Sequence, residues 1–379
     1  MRVAVIGGGL QGVELCLLAR LAGWQALLVD RRPEPSARHL ADTFHCADVR
    51  SLDTPDAATA ALARALSGAD ILLPALEDAP ALAALTRFCR RAGLPLAHDP
   101  AAYAVSSSKL RSRELFMRCG TPIPRPADSG PETAFPLIIK PSAGSGSRGV
   151  RLVRSREELL ACLPQGADTP GWVVEAYCPG RQFSLEICGT PGHYRTFQLT
   201  ELLLDDVFDC RGVLAPVEDA PLAAATAREL LRLAERLKLR GLMDVEVIAA
   251  PDGLRVLEID ARFPSQTPLT VWLSTGVNLA EQLAACFVPH VPAPGRELPR
   301  PACYLHVARQ GGDLFFPGEH DLAQAGPLQW REDIPGALGM LIGGSLRSRR
   351  WSAVLLLAAD TAGELVERRD AALAFLRAV

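Results

Sequence analysis

The chain has 379 residues, 49% of them hydrophobic and 22% charged, with a formal net charge of −3. That is enough for two or three domains with sizeable cores, and the near-neutral balance excludes both the basic footprint of a nucleic-acid binder and a polybasic membrane patch. Ten cysteines stand without a CxxC pair, apolar runs are too short or too broken by charge to span a bilayer, and no basic leader precedes the first strand; a cytoplasmic protein with free buried thiols is expected, not a disulfide framework or zinc site.

Residues 3–6 form a β-branched run ending in glycines. Helical spacing follows over 13–22, a strand over 26–29 leads to Asp30, and a helix (59–66) and a buried strand (71–74) complete an α/β pattern of the doubly wound, parallel-sheet kind to about residue 98. The turn Gly7-Gly8-Gly9-Leu10-Gln11-Gly12 fits GxGxxG between a strand and a helix, with Asp30 ending the next strand. Such a turn offers backbone N–H groups and a helix N-terminus to an anion, which leaves a nicotinamide or flavin enzyme open. The other reading is that any Rossmann-like first domain needs glycine there.

A helix is predicted over 109–119, ended by Gly120 and Pro122. A strand over 136–140, a loop over 142–149, a strand over 150–153, a helix over 156–163 and a strand over 171–175 make a small α+β unit. Further on come a helix over 221–239, a hairpin over 241–262, strands near 302–307 and 353–357, and an amphipathic tail helix over 362–379. The expected domains are 1–98, 99–180 and 181–379.

Of 40 basic residues only Lys109, Lys140 and Lys238 are lysine. Lysine is a compact charge on a flexible stem, suited to reaching a single phosphate oxygen. Lys140 ends a buried strand, and the loop beyond it carries Ser142, Gly144, Ser145, Gly146, Ser147 and Gly149. Glycines there let backbone approach a polyphosphate and let the loop open and shut. It is no P-loop, because no Gly-Lys-Ser/Thr opens a helix. Glu175 with the extended backbone of Ala176, Tyr177 and Cys178 can supply an acceptor and an N–H to an adenine ring. In the 241–262 hairpin, alternation puts Glu258, Asp260 and Arg262 on one face, and Glu246 can oppose Glu258 across the ladder. Three carboxylates on an otherwise apolar face call for a cation, and hard oxygen ligands suit Mg²⁺ with nucleotide phosphates.

Together these pieces resemble the ATP-grasp superfamily from Lys109 through Arg262. The resemblance implies an ATP-grasp fold with a Rossmann-like first domain, a small lid domain and a C-terminal domain. It makes Lys109 and Lys140 the phosphate lysines, the 142–149 loop the lid, residues 175–178 the adenine hinge, and Glu246, Glu258 and Asp260 the magnesium ligands. The last ligand is usually asparagine, and the ribose position is often glutamate where this chain has Gln182. The likeness sharpens at Gly-Gly-x-Leu-Gln-Gly, at Met243-Asp244-Val245-Glu246 and at 257–268, where the chain resembles the PylC family of ligases in pyrrolysine biosynthesis. That family joins the α-carboxylate of 3-methyl-D-ornithine to the ε-amine of L-lysine.

The resemblance thus implies ATP and Mg²⁺ as cofactors, an acyl phosphate intermediate, and small amino-acid substrates (3-methyl-D-ornithine or D-ornithine, and L-lysine), with no nucleic-acid or membrane partner and the oligomeric state open. Arg262 would stabilise the oxyanion or leaving phosphate beside Lys140. Leu10, Gln11, Glu77, Ser184, Glu186 and Ser265 are expected to bind the amino acids, and Asp30 marks a possible second nucleotide site. The alternatives are another ATP-grasp ligase, making a dipeptide or acting as a carboxylase, and an NAD-dependent oxidoreductase using the glycine turn.

Overall fold

The computed structural model describes residues 1–54, 56–127, 133–163, 169 and 171–379. Its first elements alternate as β1 (Arg2–Ile6), α1 (Leu10–Leu21), β2 (Gln25–Asp30), β3 (Thr43–Cys46), α2 (Ala57–Leu66), β4 (Ile71–Pro74) and α3 (Ala79–Ala92). The strands pair in parallel in the order β3-β2-β1-β4, because strands joined by helical crossovers run the same way. β1, β2 and β4 are almost wholly buried. β3 is only partly buried, so it carries no continuous apolar run to mark it in the sequence. α3 is bounded by turn chemistry, with Asp78 accepting the Ala81 N–H at one end and left-handed Gly93 at the other.

α4 (Pro100–Ser106) and α5 (Lys109–Cys119) follow. Leu115 and Phe116 of α5 pack into a core shared with the large sheet described below. The small unit consists of β5 (Leu137–Pro141), β6 (Arg151–Val153), α6 (Arg156–Cys162) and β7 (Trp172–Ala176), its strands antiparallel in the order β6-β5-β7. It has its own apolar core of Leu137, Ile139, Val153, Leu159, Leu163 and Val174.

The rest of the chain builds one antiparallel sheet. β8 (Arg181–Thr190), β9 (His193–Thr196), β10 (Thr200–Leu204) and β11 (Cys210–Ala215) lead to α7 (Ala220–Leu237). The hairpin β12 (Gly241–Ala250) and β13 (Gly253–Asp260) follows, then α8 (Thr267–Thr275) and α9 (Leu279–Ala285). β14 (Ala302–Gln310), β15 (Asp313–Phe315), α10 (Glu319–Ala323), β16 (Leu328–Arg331), β17 (Gly339–Gly343), β18 (Arg350–Ala358) and α11 (Ala362–Ala378) complete it. The strand order is β13-β12-β8-β10-β11-β14-β18-β17-β16, with β9 on β8 and β15 on β14. Lys238, the third lysine, caps α7 in the left-handed conformation, so its place is at a helix end. All ten cysteines are free, and among the described residues no helix is long and apolar enough to cross a membrane.

α1 joins the first sheet to the rest. Glu14, fully buried on α1, accepts the Leu269 N–H at 2.9 Å in the first turn of α8, whose N-cap residue Gln266 makes no side-chain cap of its own. Asn278 donates to the Leu18 carbonyl at 2.8 Å. These bonds set the glycine turn facing the acidic hairpin.

Candidate active site

The hairpin register is the foundation of the site. Glu246 pairs with Glu258 and Asp244 with Asp260, while on the other side of β12 Glu246 pairs with Ser184 and Asp244 with Glu186. Side chains repeat every second residue along a strand, so one sheet face carries two rows: Ser184–Glu246–Glu258 and Glu186–Asp244–Asp260. A bulge between Glu246 and Val247 takes up one extra residue, Leu257, on β13 and keeps Glu246 opposite Glu258.

The positive charge that these carboxylates call for comes in part from the protein itself. Among the described residues no group of three His, Cys, Asp or Glu side chains is arranged to hold a metal. Protein cations do part of that work: Lys109 Nζ lies 2.9 Å from Glu258 Oε2, and Arg262 Nη2 lies 2.8 Å from Asp260 Oδ2 while its Nε lies 2.9 Å from Glu77. Glu246 has no ion-pair partner among the described residues, and Asp244 Oδ1 and both Glu186 carboxylate oxygens are buried without hydrogen bonds. The charge is therefore incompletely neutralised, and an all-oxygen donor set around Glu246 and Glu258 fits a hard divalent cation carrying phosphates.

The titration behaviour follows from this imbalance. Burial, then the charges of Glu258 and Asp260, raise Glu246 to about 8. Burial raises Asp260 to about 7 against the pull of Arg262, and raises Glu186 to about 7. Burial and the neighbouring Asp260 push Asp244 well above the carboxylate range. Burial also acts upward on Glu258, but Lys109 and Lys140 outweigh it and hold that group below its ordinary value.

Two cavities meet over this face. One is lined by Lys109, Lys140, the lid residues Gly144, Ser147 and Arg148, the hinge residues Glu175, Ala176, Tyr177 and Cys178, then Gln182, Glu246 and Glu258. Apolar side chains of Ile138, Val150, Ile248 and Leu257 complete its walls. Lys140 Nζ is 2.6 Å from Glu175 Oε1, both side chains buried. The hinge donors are narrower than the sequence suggests. The Ala176 N–H goes to Arg125 O and the Tyr177 N–H to Pro136 O, which leaves Cys178 as the hinge N–H without a backbone partner among the described residues.

Lid residues divide in the same way. Lys109, first residue of α5 after the N-cap Ser108, reaches Gly144 O at 2.7 Å. Ser142 does not line the cavity; its hydroxyl meets Ser108 Oγ at 3.1 Å, and its carbonyl accepts the Lys109 N–H. That seam fixes Lys109 beside the lid. Gly149 packs against Pro141 and ends the loop.

The second cavity shares Ser147, Gln182, Phe208, Glu246 and Glu258 with the first and is lined further by Gln11, Glu77, Ser184, Asp244, Asp260, Arg262 and Ser265. Glu77 accepts from Gln11 Nε2 at 2.8 Å and from Ser145 Oγ at 2.9 Å, tying the lid to the first domain. Glu186 lies under the floor, fully buried. Leu10 stands with Gln11 at the outer mouth. Asp30 is elsewhere, its carboxylate taken by the Gly8 N–H at 2.6 Å and by Arg32.

Several site residues escape the sequence reading. Asp244 is one that alternation could have found, two residues from Glu246. Phe208, left-handed in a tight turn, lines both cavities. Glu319 on α10 accepts from Gln266 Nε2 at 2.7 Å and Ser265 Oγ at 3.3 Å. Asp209 accepts the Glu319 and His320 N–H groups and lies 2.8 Å from His320 Nδ1. These come from distant segments with no local motif.

Residues 106–266 match the ATP-grasp domain family. The chain is 36% identical over 286 residues to the 3-methyl-D-ornithine–L-lysine ligase of Methanosarcina mazei, covering 75% of this chain and 71% of that one. The Methanosarcina barkeri ligase of the same name is 35% identical, with coverage of 76% and 74%. An N5-carboxyaminoimidazole ribonucleotide synthetase in its ADP complex aligns at a TM-score of 0.71 over 99% of this chain and 96% of that one, at 16% identity, a likeness of fold alone.

Proposed function

This chain belongs to the 3-methyl-D-ornithine–L-lysine ligase family of ATP-grasp enzymes, and we propose that it joins the α-carboxylate of 3-methyl-D-ornithine, or D-ornithine, to the ε-amine of L-lysine. The observation that carries this reading is the shared wall of the two cavities: a lysine- and glycine-lined nucleotide cavity meets a carboxylate-rich one at Glu246 and Glu258. Substrates bearing several ammonium groups suit the second; a phosphoryl donor suits the first.

In this mechanism the adenine lies along the hinge, and Lys109, Lys140 and lid amides surround the phosphates. Glu246, Glu258 and Asp260 would hold Mg²⁺, which supplies charge neutralisation on the phosphate oxygens. A carboxylate oxygen of the ornithine attacks the γ-phosphorus and ADP leaves, giving an acyl phosphate under the closed lid, away from water. The neutral lysine ε-amine attacks the acyl carbon, its proton departs and inorganic phosphate leaves. Arg262, anchored by Asp260 and Glu77, stands where the oxyanion or departing phosphate develops charge. Free lysine titrates near 10.4, so the amine must lose its proton before attack.

The test is mass spectrometry of the products after incubation with ATP, Mg²⁺, D-ornithine or its 3-methyl form, and L-lysine. One isopeptide and one ADP per turnover are expected. Turnover with a dipeptide-forming pair or with bicarbonate, and none with ornithine and lysine, would move the chain to another ATP-grasp reaction.

A further inference from the structure

Resting on that reading, the carboxylates of the site divide by whether a protein cation already answers them. Glu258 has Lys109, and Asp260 and Glu77 share Arg262. Glu246 sits on the wall shared with the nucleotide cavity. Glu319 is different. Like Glu246, Asp244 and Glu186 it forms no ion pair among the described residues, but of these four it is the one that also lines the outer cavity, and its two hydrogen bonds, from the neutral donors Gln266 and Ser265, both go to Oε2.

Its support is rigid. Asp209 accepts the backbone N–H groups of Glu319 and His320, and Gly318 has no room for a Cβ, which would come within 2.0 Å of the Asp209 carboxyl carbon. Gln266 holds the other side from a left-handed backbone (φ 71°), with its own amide oxygen 3.3 Å from His306 Nε2 in the core. A non-glycine residue kept in that conformation is over-determined by its surroundings.

Glu319 also lies at a junction. It lines the acidic cavity and an outer cavity reached past Leu10, Gln11, Ser145, Arg148 and His320. The acyl donor's carboxylate must lie deep, beside the phosphoryl group and Arg262. The amine donor must then arrive through the outer cavity, side chain first. Its head group, bearing an α-ammonium and an α-carboxylate, would trail into a cavity that holds one uncompensated carboxylate and Arg148, a guanidinium without an ion-pair partner among the described residues.

We propose that Glu319 binds the α-ammonium of the amine-donating amino acid, and so selects a zwitterionic lysine over a simple amine-bearing chain. The lid backbone lies over this carboxylate, since a Cβ at Gly146 would meet Glu319 Oε1 at 2.6 Å. The contact would form where the lid shuts, in a space shielded from water, where a charge-assisted hydrogen bond is strongest.

Steady-state kinetics of Glu319→Gln tests this, with L-lysine and 6-aminohexanoate, which lacks the α-ammonium, as alternative donors. The variant should raise the KM for L-lysine by about tenfold or more and leave those for ATP and ornithine within about twofold. With 6-aminohexanoate, wild type and variant should be equally poor. A loss of the same size on both donors would make Glu319 a structural residue, and a shift confined to ornithine would put it on the other substrate; either overturns the proposal. Wild-type turnover with an unchanged lysine KM in the variant overturns it alone. Absence of wild-type turnover with ornithine and lysine overturns the ligase reading and this assignment together.

Discussion

The turn at residues 7–12 carries four glycines and the lid at residues 142–149 carries three, yet an added methyl group at Gly12 or Gly7 would meet very different surroundings from one at Gly144. At Gly12 a Cβ would lie 2.1 Å from Gly7 O, and at Gly7 it would lie 2.4 Å from Ala75 O. At Gly144 it would meet nothing within 4 Å, and the constraint there is a φ of +102°. The first loop is crowded: its glycines let α1 start directly against β1 and β4, and its Gly8 N–H is already taken by Asp30. The second is open at Gly144, though not at Gly146 or Gly149, and its atoms are turned to partners across the site, Gly144 O to Lys109 and Ser145 to Glu77. A GxGxxG string therefore reports close packing before it reports a nucleotide, whereas the 142–149 loop turns its polar atoms to Lys109 and Glu77 across the site.

The contrast is sharpest in activity. Glu258→Gln removes Lys109's partner and a charge from the acidic row, and Lys140→Ala removes a buried cation from the nucleotide cavity. Each should lower kcat by about a hundredfold or more; Glu258→Gln should melt close to wild type, whereas Lys140→Ala leaves the buried Glu175 carboxylate without its cation and should melt lower. Near-normal kinetics for Glu258→Gln with an unaltered Mg²⁺ dependence would remove the hairpin from the metal site.

Gly12→Ala should do the reverse. The overlap is with backbone oxygen, so α1 must move off the sheet, at about 1–3 kcal/mol and a melting drop of about 2–5 °C. The KM for ATP of the folded enzyme should hold. A changed ATP affinity with unchanged melting would make the turn part of the nucleotide site.

Much of this was legible in the sequence because it is local. The strand carrying Lys140, the lid, and the 241–262 hairpin with Glu246 opposite Glu258 follow from period and turn chemistry. What was illegible depends on meetings between segments far apart in the chain. Lys109 answers Glu258, Arg262 answers both Asp260 and Glu77, and Glu319 arrives on a five-residue helix held by Asp209, 110 residues away. The demand for a cation at the acidic hairpin could be read from alternation; that lysine and arginine would supply part of it could not. β3 was missed because a partly buried strand shows neither alternation nor an apolar run.

Glu14 sharpens the comparison from the turn's side, since it joins α1 to α8. Burial pushes its carboxyl to about 8 from an ordinary value of 4.5, so the folded chain keeps a proton that the unfolded chain releases. The associated stability is full below about 4.5 and is lost as pH rises through about 8. Glu14→Gln keeps an oxygen for the Leu269 N–H and removes the titration. Its melting advantage over wild type should grow between pH 6 and 8.5, to the order of 1–2 kcal/mol once relaxation around the charge is allowed. A gap that stays constant with pH would mean that Glu14 is ionised in the folded protein.

Gly144→Ala probes the open loop and should have the smallest effect. Because space surrounds the site, the substitution creates no clash, and its cost is the φ of +102°, about 1–2 kcal/mol for an L residue. That cost falls only on the lid conformation in which Gly144 O meets Lys109 and Ser145 meets Glu77. A lid that opens and shuts has other conformations available to it, so the penalty should appear as a smaller closed fraction. The expected result is a kcat lowered about three- to tenfold, with melting within about 1 °C of wild type. Single-turnover rapid mixing separates closure from later steps, and the burst of acyl phosphate and ADP should slow by the same factor as kcat. Melting lowered as far as in Gly12→Ala, with turnover per folded molecule intact, would show that the lid glycine serves packing and that the two loops do not differ in kind.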